Sequence, residues 1–245
     1  MSDDTIRLSK RMTELGLCSR READEFIEMG LVKVDGVVVN VLGSRVRPDQ
    51  TIELTRQALA QQAERVTVLL NKPVGYVCGP AGPGERPAWQ LIKPETRSRV
   101  DRSGYTFLKK HTHNLAPAGQ LEVDSDGLLV LTQDGRIARK LIADVADYEQ
   151  EWLVWVDGGL SEVVLAQLAA GVEINGVLAK PAKVSRQSDT QLRFTLRDNT
   201  PRLLRRLCDA AGLRVVQVKR IRIGRIALGN LDVGQWRYLE PHERF

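Results

Sequence analysis

Ala118 to Gly135 reads Ala-Gly-Gln-Leu-Glu-Val-Asp-Ser-Asp-Gly-Leu-Leu-Val-Leu-Thr-Gln-Asp-Gly, and no other stretch says more about the fold. Its first half is polar and ends in an acidic run that includes Glu122 and Asp124. Its second half, from Gly127 onward, is a short apolar run with the length and composition of a buried strand. An acidic loop that enters a buried strand is typical of an active-site loop held in place by a sheet.

The composition is that of a globular protein with enough apolar residues to bury a core. The chain has 245 residues, of which 42% are hydrophobic, and a formal net charge of +5. This length suits one large domain, or a small domain joined to a larger one. Because clustered Lys and Arg favour polyanionic partners, we expect the partner to be a nucleic acid.

The cysteines and histidines suggest no covalent or metal framework. Three cysteines are widely spaced and form no Cys-x-x-Cys pair, and the three histidines lie at no ligand spacing from cysteine or carboxylate. We therefore expect no disulfide, no metal and a reducing, cytoplasmic location. The N-terminal Met-Ser-Asp-Asp lacks the features of a signal peptide, and no apolar run approaches the roughly 18 residues that span a bilayer, so no membrane association is expected.

The first 60 residues predict a compact module of two short helices and a β-hairpin. One helix is expected from Ile6 to Leu15, and a second begins at Ser19 to Glu22 (Ser-Arg-Arg-Glu), which is a capping-box pattern. Leu31 to Val39 contains two β-rich runs around an Asp-Gly turn, which is a hairpin signal. The polar segment Arg56 to Glu64 is interpreted as a linker or a solvated helical connector, which places the domain boundary near residue 60.

The module carries a cluster of cations. Arg7 lies three residues from Lys10 and four from Arg11, so these side chains neighbour one another on a helix surface. The start of the second helix also offers amides to phosphate. Charge alone fits either a solvated helical face or an RNA-binding face. The predicted RNA contacts of the module are Arg7, Lys10, Arg11, Ser19, Arg20, Arg21 and Lys33.

Residues 61–245 predict an α+β domain with a mixed, mostly antiparallel sheet, because hairpins and short connections outnumber βαβ crossovers. A long irregular segment is expected before residue 114. Strands are expected at Val66–Leu70, Gln150–Val156, Leu192–Leu196, Arg214–Lys219 and Arg225–Leu228, helices at Arg136–Ala143, Ser161–Ala170 and Pro201–Ala211, and a hairpin over Val172–Val184 around Asn175-Gly176.

Two parts of the chain resemble known families. In the module, Ile6 to Lys10, Gly16 to Ala23 and Gly30 to Gly36 resemble the S4-type RNA-binding domain. In the larger domain, Leu70 to Gly75 (Leu-Asn-Lys-Pro-Val-Gly) and Gly234 to Leu239 (Gly-Gln-Trp-Arg-Tyr-Leu), together with the 118–135 stretch, resemble the ribosomal RNA pseudouridine synthases that act without a guide RNA. The resemblance implies isomerisation of a flipped-out uridine in ribosomal RNA without a cofactor. Nothing in the sequence indicates a dimer, so we expect a monomer.

The resemblance also places the site residues. The Gly-Arg-Leu-Asp of these synthases is Gly119-Gln120-Leu121-Glu122 here, so the reacting carboxylate falls on Glu122. Their Lys-x-Tyr strand is Gln150-Glu151-Trp152, which makes Trp152 the base-stacking residue. Their Lys-x-Arg-Gln-Ile-Arg-Arg segment is Thr200 to Arg206. The resemblance therefore implies pocket residues Gln120, Trp152, Leu204 and Arg205, and RNA contacts Lys72, Arg202 and Arg206.

A late strand carries two further candidates. Lys219 to Arg225 alternates cationic and aliphatic residues, so a strand is expected to bury Ile221 and Ile223 and to turn Arg220 and Arg222 outward. The outward arginines are predicted either to reach RNA backbone or to lie on a solvated sheet face.

Two functions remain open from the sequence. One is a ribosomal RNA pseudouridine synthase that uses Glu122, and the other is a non-catalytic relative that only binds structured ribosomal RNA. The retained carboxylate favours the enzyme, whereas the substitutions concentrated on the pocket favour the binding protein. Asp124 shares a face with Glu122 in an extended strand, but these synthases often carry an acidic residue there, so we do not expect it to replace Glu122.

Overall fold

A computed structural model of the protein describes residues 5–174 and 176–245, so Met-Ser-Asp-Asp at the start and Asn175 of the predicted turn lie outside the described residues. The helices described are α1 Leu8–Glu14, α2 Arg20–Glu28, α3 Arg56–Ala63, α4 Gly135–Ile142, α5 Glu162–Ala170 and α6 Leu203–Ala210. The strands are β1 Ile6–Arg7, β2 Val32–Val34, β3 Val37–Val39, β4 Arg45–Val46, β5 Ile52–Leu54, β6 Thr67–Lys72, β7 Tyr76–Val77, β8 Arg86–Pro87, β9 Ala116–Pro117, β10 Asp126–Thr132, β11 Gln150–Asp157, β12 Glu173–Ile174, β13 Val177–Leu178, β14 Lys183–Ser188, β15 Gln191–Leu196, β16 Arg214–Ile223, β17 Ile226–Ala227 and β18 Trp236–Tyr238.

The N-terminal module has the two helices and the hairpin that its local sequence signals predict, but its first helix begins only at Leu8. Ile6 and Arg7, predicted to lie in that helix, form β1, which pairs with β4. Ser19 and Glu22 form the expected capping box at the start of α2. The hairpin of β2 and β3 is present, and Asp35 and Gly36 both have positive φ, as a tight two-residue turn requires. α1 and α2 bury Leu8 and Phe26 in the core of the module, over the sheet β3-β2-β5.

The segment predicted as a linker or connector is helix α3, and it packs on the module. Ala58 is fully buried in the core of the module, and Gln62 Nε2 donates to the carbonyl oxygen of Leu17 at 2.9 Å. The weak periodicity of the segment follows from this arrangement, since only one narrow side of a polar helix is covered.

The larger domain is built on one mixed sheet, which confirms the predicted α+β class. The strand order is β14-β15-β11-β16-β10-β6-β18, with β9 pairing β10 and β17 pairing β16. The pairings within this sheet are antiparallel except for β10 with β16, which is parallel. The apolar half of the 118–135 stretch becomes β10 near the centre of the sheet, and every residue of β10 is buried. The acidic loop therefore leads directly into a fully buried strand inside the sheet.

One predicted hairpin is shorter than expected. The structure pairs Glu173–Ile174 with Val177–Leu178, and the following residues 183–188 form a separate strand that pairs with β15. Pro181 has no N–H to offer a ladder, which accounts for the break between the two pairings. The prediction of one hairpin over Val172–Val184 is therefore wrong in its extent.

The module contacts the larger domain through the start of α2. Glu22 pairs with Arg65, and a Cβ on Gly135 would overlap the side chains of Glu22 and Ser19. Arg139 on α4 also donates to the carbonyl oxygen of Thr13. Within the described part of the chain, no helix has the length and apolar character needed to cross a bilayer.

Candidate active site

Glu122 lies in the loop between β9 and β10 and is held on three sides. Its Oε1 accepts the backbone N–H of Arg202, and its Oε2 accepts the hydroxyl of Ser125 at 3.1 Å. The Arg205 guanidinium completes the set, with Nε 3.8 Å from Oε2, which is an ion pair without a hydrogen bond. The carboxylate is thus fixed in place while its side chain stays 29% exposed.

Helix α6 supplies most of these contacts. Arg202 precedes the first residue of α6 and has a left-handed backbone conformation (φ 57°, ψ 20°), which turns its N–H toward Glu122. The N-terminus of a helix favours a negative charge, so the carboxylate sits where α6 stabilises it. Arg205, one turn into the helix, also donates to the carbonyl oxygen of Asp124 at 2.9 Å.

A cavity of about 260 Å³ opens beside the carboxylate. It lies between the acidic loop, β11 and the start of α6, and its lining includes four of the predicted site residues, Gln120, Glu122, Trp152 and Leu204. The remaining walls are mainly aliphatic but include a second carboxylate, Asp198, so the cavity combines acidic groups with a largely apolar surface. Such a combination suits a planar base that is stacked on one side and approached by a carboxylate on another.

A buried arginine lies under the aromatic wall of the cavity. The guanidinium carbon of Arg220 is 5.1 Å from the ring centroid of Trp152. Its Nε donates to Leu128 O at 2.8 Å, and its Nη1 donates to Gln120 O at 3.0 Å and to Gln150 Oε1 at 3.2 Å. Burial lowers the pKa of Arg220 to about 10, which leaves the group protonated at neutral pH.

A polar network continues from Arg220 beneath the cavity. Gln150 Nε2 donates to Asn199 Oδ1 at 2.8 Å, and Asn199 also lines the cavity. The Gln150 side chain therefore ties β11 to the loop before α6. A lysine at this position, as in the related synthases, would place a second cation against Arg220, so glutamine here is consistent with a neutral bridge.

The buried donors around the site that have no hydrogen-bond partner among the described residues include Trp152 Nε1, Arg205 Nε and Arg220 Nη2. Buried donors are nearly always satisfied, and each one left free calls for an explanation. Arg205 Nε faces the Glu122 carboxylate at 3.8 Å, so its charge is compensated although no hydrogen bond forms.

The structure corrects two predicted RNA contacts. Arg220 points inward because β11 and β16 change register between Glu151 and Trp152, so the simple inside-outside alternation fails there. Lys72 is 0% exposed, and its Nζ donates to Pro73 O at 2.9 Å and Tyr76 O at 3.0 Å. Neither side chain can reach RNA in this arrangement. Arg222 is partly exposed and pairs with Glu151 at 2.9 Å.

Asp124 lies beside the site without lining the cavity. Its Oδ2 is 3.3 Å from Arg205 Nη2 and 3.4 Å from Arg202 Nη1, and its side chain is 40% exposed. It therefore pairs with Arg202 and Arg205 outside the cavity, whereas Glu122 and Asp198 are the carboxylates that line it.

The predicted cations of the module are distributed unevenly. Arg7, Lys10, Arg20 and Arg21 are exposed, whereas Arg11 and Lys33 are partly buried. Ser19, predicted as an RNA contact, caps α2 and packs against Gly135. Because the capping box uses the amides of Ser19 and Glu22, the expected anion site at the start of α2 is smaller than the sequence suggests.

Sequence reasoning missed several residues that shape the site. In the synthases that the 118–135 stretch resembles, a Ser or Thr stands at the position of Ser125, so the resemblance already pointed to this residue. No sequence pattern predicts the contact of the Arg202 amide or the hydrogen bond between Gln150 and Asn199. Both depend on how loops that are distant in the chain meet in the fold. Across residues 5–174 and 176–245, no group of three or more His, Cys, Asp or Glu is placed to hold a metal ion.

Comparisons with known proteins match both parts of the chain. Residues 6–52 match the family described as S4 domain, and residues 66–206 match the family described as RNA pseudouridylate synthase. A dual-specificity RNA pseudouridine synthase, RluF, of Escherichia coli is 32% identical over 245 residues, which cover 99% of this chain and 78% of that protein.

Two further comparisons agree. The ribosomal large subunit pseudouridine synthase B of Bacillus subtilis is 30% identical over 243 residues, covering 97% of this chain and 93% of that protein. A crystal structure described as pseudouridylate synthase superposes with a TM-score of 0.63 and 25% identity, covering 96% of both chains.

Proposed function

The chain belongs to the RNA pseudouridylate synthase family, and we propose that it isomerises uridine to pseudouridine in ribosomal RNA, with the Glu122 carboxylate as the reacting group. The observation that carries this proposal is the cavity that joins the Glu122 carboxylate to the Trp152 ring. We further propose that the protein acts in the cytoplasm, as a monomer and without a cofactor.

The reaction sets clear demands on the site. The bond between N1 of uracil and C1′ of ribose breaks, the base turns, C5 bonds to C1′, and the proton lost from C5 is balanced by one gained at N1. A carboxylate can serve this sequence as a nucleophile toward the nucleoside or as a base toward the sugar. No electrons are exchanged with a partner, so a fixed carboxylate and a pocket that controls the base meet the demand.

The pocket also has to compensate for flipping the nucleotide out of its stack, which costs a few kcal/mol. Trp152 offers a larger stacking face than tyrosine, and base stacking on an aromatic ring contributes about 1–3 kcal/mol. The Arg220 guanidinium beneath the ring holds it in orientation. The loss of the tyrosine hydroxyl is consistent with a reaction in which the aromatic residue stacks and orients the base while Glu122 performs the chemistry.

A genetic experiment tests the proposed function. Ribosomal RNA is isolated from a strain that lacks this gene and from the same strain carrying it again, and pseudouridines are mapped by carbodiimide adducts and primer extension. We expect one or more pseudouridines to be missing without the gene and restored with it. Identical maps in the two strains would contradict the proposal and would favour a protein that only binds ribosomal RNA.

Trp152→Phe is expected to lower kcat/KM for RNA roughly tenfold, because the phenyl ring offers the base a smaller stacking face than the indole ring that lines the cavity. Trp152→Ala should cost more, since stacking is then lost altogether. Steady-state conversion of ribosomal RNA measures both. Trp89→Phe is the matched control, because Trp89 is 46% exposed and does not line the cavity. Equal activity of Trp152→Phe and wild type would show that the larger stacking face of tryptophan contributes nothing to the reaction.

Arg20→Ala combined with Arg21→Ala is expected to weaken RNA binding and to reduce the slope of log Kd against log salt by about 2, because each arginine neutralises one phosphate. Filter binding of ribosomal RNA over a range of salt concentrations measures the slope. The control is Arg193→Ala combined with Arg244→Ala, two exposed cations of the larger domain. A slope unchanged from wild type in the Arg20 and Arg21 variant would show that the module binds RNA elsewhere.

A further inference from the structure

A second, larger groove adjoins the cavity. It has a volume of about 790 Å³ and lies between the hairpin of β12 and β13, the edge strand β14 and helix α6. It neighbours the cavity beside Glu122, since Leu196, Asp198, Thr200 and Leu203 line both. This groove takes no part in holding the carboxylate.

The charges around the groove favour an anionic occupant. Four cations line it, Lys180, Lys183, Arg197 and Arg206, against the two carboxylates Glu149 and Asp198. The carboxylate of Glu149 is already paired with three cations, at 3.4 Å from Lys183, 3.6 Å from Arg197 and 3.6 Å from Arg222. Lys180 is exposed, and among the described residues neither Lys180 nor Arg206 forms an ion pair, although Arg206 Nη2 donates to Pro201 O at 2.7 Å. Lys180 and Arg206 are therefore the cations left to meet an incoming anion.

The floor of the groove is aliphatic. Val177 and Leu178 on the hairpin are 70% and 67% exposed, and Leu203 of α6 closes the opposite side. An aliphatic floor beneath a cationic rim matches a nucleotide, whose base is largely apolar on its faces and whose phosphate is charged. A purely apolar ligand would form no ion pair with the cations of the rim, and a free phosphate would make no apolar contact with the floor.

The size of the cavity explains why a second site is needed. At about 260 Å³ it falls near the lower limit of ligand pockets, so it takes one nucleoside and leaves the adjoining nucleotides outside. Because the two share lining residues at the start of α6, the groove is the neighbouring space for an RNA strand that leaves the cavity on this side.

We propose that the groove between the β12–β13 hairpin and α6 binds a nucleotide that flanks the target uridine, with its base on Val177 and Leu178 and its phosphate between Lys180 and Arg206. This inference rests on the proposed function, since it assumes that the cavity holds a flipped uridine. It assigns the groove to single-stranded RNA adjoining the target, whereas the cations of the N-terminal module bind RNA farther away.

The test uses the full-length protein and a short oligouridylate that contains 4-thiouridine. After irradiation, the crosslinked peptides are mapped by mass spectrometry, and Kd is measured for wild type and for Lys180→Glu. We expect crosslinks within residues 176–183 or in α6, and a Kd about three- to tenfold weaker for Lys180→Glu, with the salt slope reduced by about 1. Arg244→Glu makes the same change of charge at an exposed position outside the groove and should bind as wild type does.

The outcomes separate this inference from the proposed function, because neither measurement requires turnover. Crosslinks confined to residues 6–52, or a Kd of Lys180→Glu equal to that of wild type, would overturn the groove assignment even if pseudouridine forms. Absence of any binding to the oligouridylate would overturn it as well. Crosslinks in the groove from a protein that forms no pseudouridine would support the groove and leave only the isomerase proposal contradicted.

Discussion

Glu122→Gln is expected to lower the single-turnover rate of pseudouridine formation by about 10²–10⁴-fold, the range attributed to a positioned acid or base. Glutamine has nearly the same shape and can still accept the N–H of Arg202, so the loop should keep its geometry. What is lost is the charge and the ability to take a proton or to bond to the nucleoside. Rapid-quench conversion of ribosomal RNA at saturating enzyme measures the rate without product release.

Two controls make this result specific. Asp124→Asn removes a neighbouring carboxylate that touches the same arginines but does not line the cavity, and its rate should fall less than about tenfold. Glu122→Asp restores the residue of the related synthases but withdraws the carboxylate by one methylene from Arg202 and Ser125, so we expect it to be slower than wild type by up to about 100-fold. Full activity of Glu122→Gln would exclude Glu122 as the reacting group.

Gly127→Ala is expected to destabilise the protein by about 3 kcal/mol or more. Gly127 has φ 106° at the point where β10 meets β16, and a Cβ there would lie 2.7 Å from the backbone N of Arg220 and overlap its carbonyl oxygen. The backbone of the central sheet would have to separate, because no flexible side chain can move away. Urea unfolding followed by circular dichroism measures the free energy of unfolding.

The control for this variant is Gly159→Ala. A Cβ on Gly159 would have no neighbour within 4 Å, and φ at this residue is not positive. Alanine should therefore change the free energy of unfolding by less than about 1 kcal/mol. If Gly127→Ala were as stable as wild type, the close parallel contact between β10 and β16 would be wrong, and with it the position of Arg220 under the cavity.

Local patterns predicted those parts of the site that depend on short-range sequence. The 118–135 stretch was expected to be an acidic loop and a buried strand, and the structure places Glu122 at the cavity and β10 in the central sheet. Ser19 and Glu22 were expected to form a capping box, and they do. These features follow from a few neighbouring residues, so no knowledge of the remaining chain was required.

Features that depend on distant contacts could not be predicted in this way. Arg220 was expected to face outward by strand alternation, but a register shift against β11 turns it inward beneath Trp152. Lys72 was expected to contact RNA, but its ammonium group is satisfied by two nearby carbonyl groups inside the protein. The carbonyl groups that satisfy Lys72 belong to its own segment, but whether the rest of the domain covers the side chain is not visible in that segment.

The replacement of aspartate by glutamate at the reacting position is accompanied by a matching environment. The carboxylate of Glu122 accepts hydrogen bonds from the Arg202 amide and the Ser125 hydroxyl and pairs with the Arg205 guanidinium. These three groups hold the longer side chain in a defined position. A protein that had lost the activity would not need to keep these three contacts to the carboxylate. This geometry favours an enzyme over a protein that only binds RNA.

The most direct test of this account is the single-turnover conversion of ribosomal RNA, prepared from a strain lacking the gene, by the purified wild-type protein and by Glu122→Gln. The account predicts that the wild-type protein forms pseudouridine at a defined position and that Glu122→Gln does not, although both bind the RNA with the same Kd. Tight binding by the wild-type protein without any pseudouridine, or equal conversion by both proteins, would contradict the account.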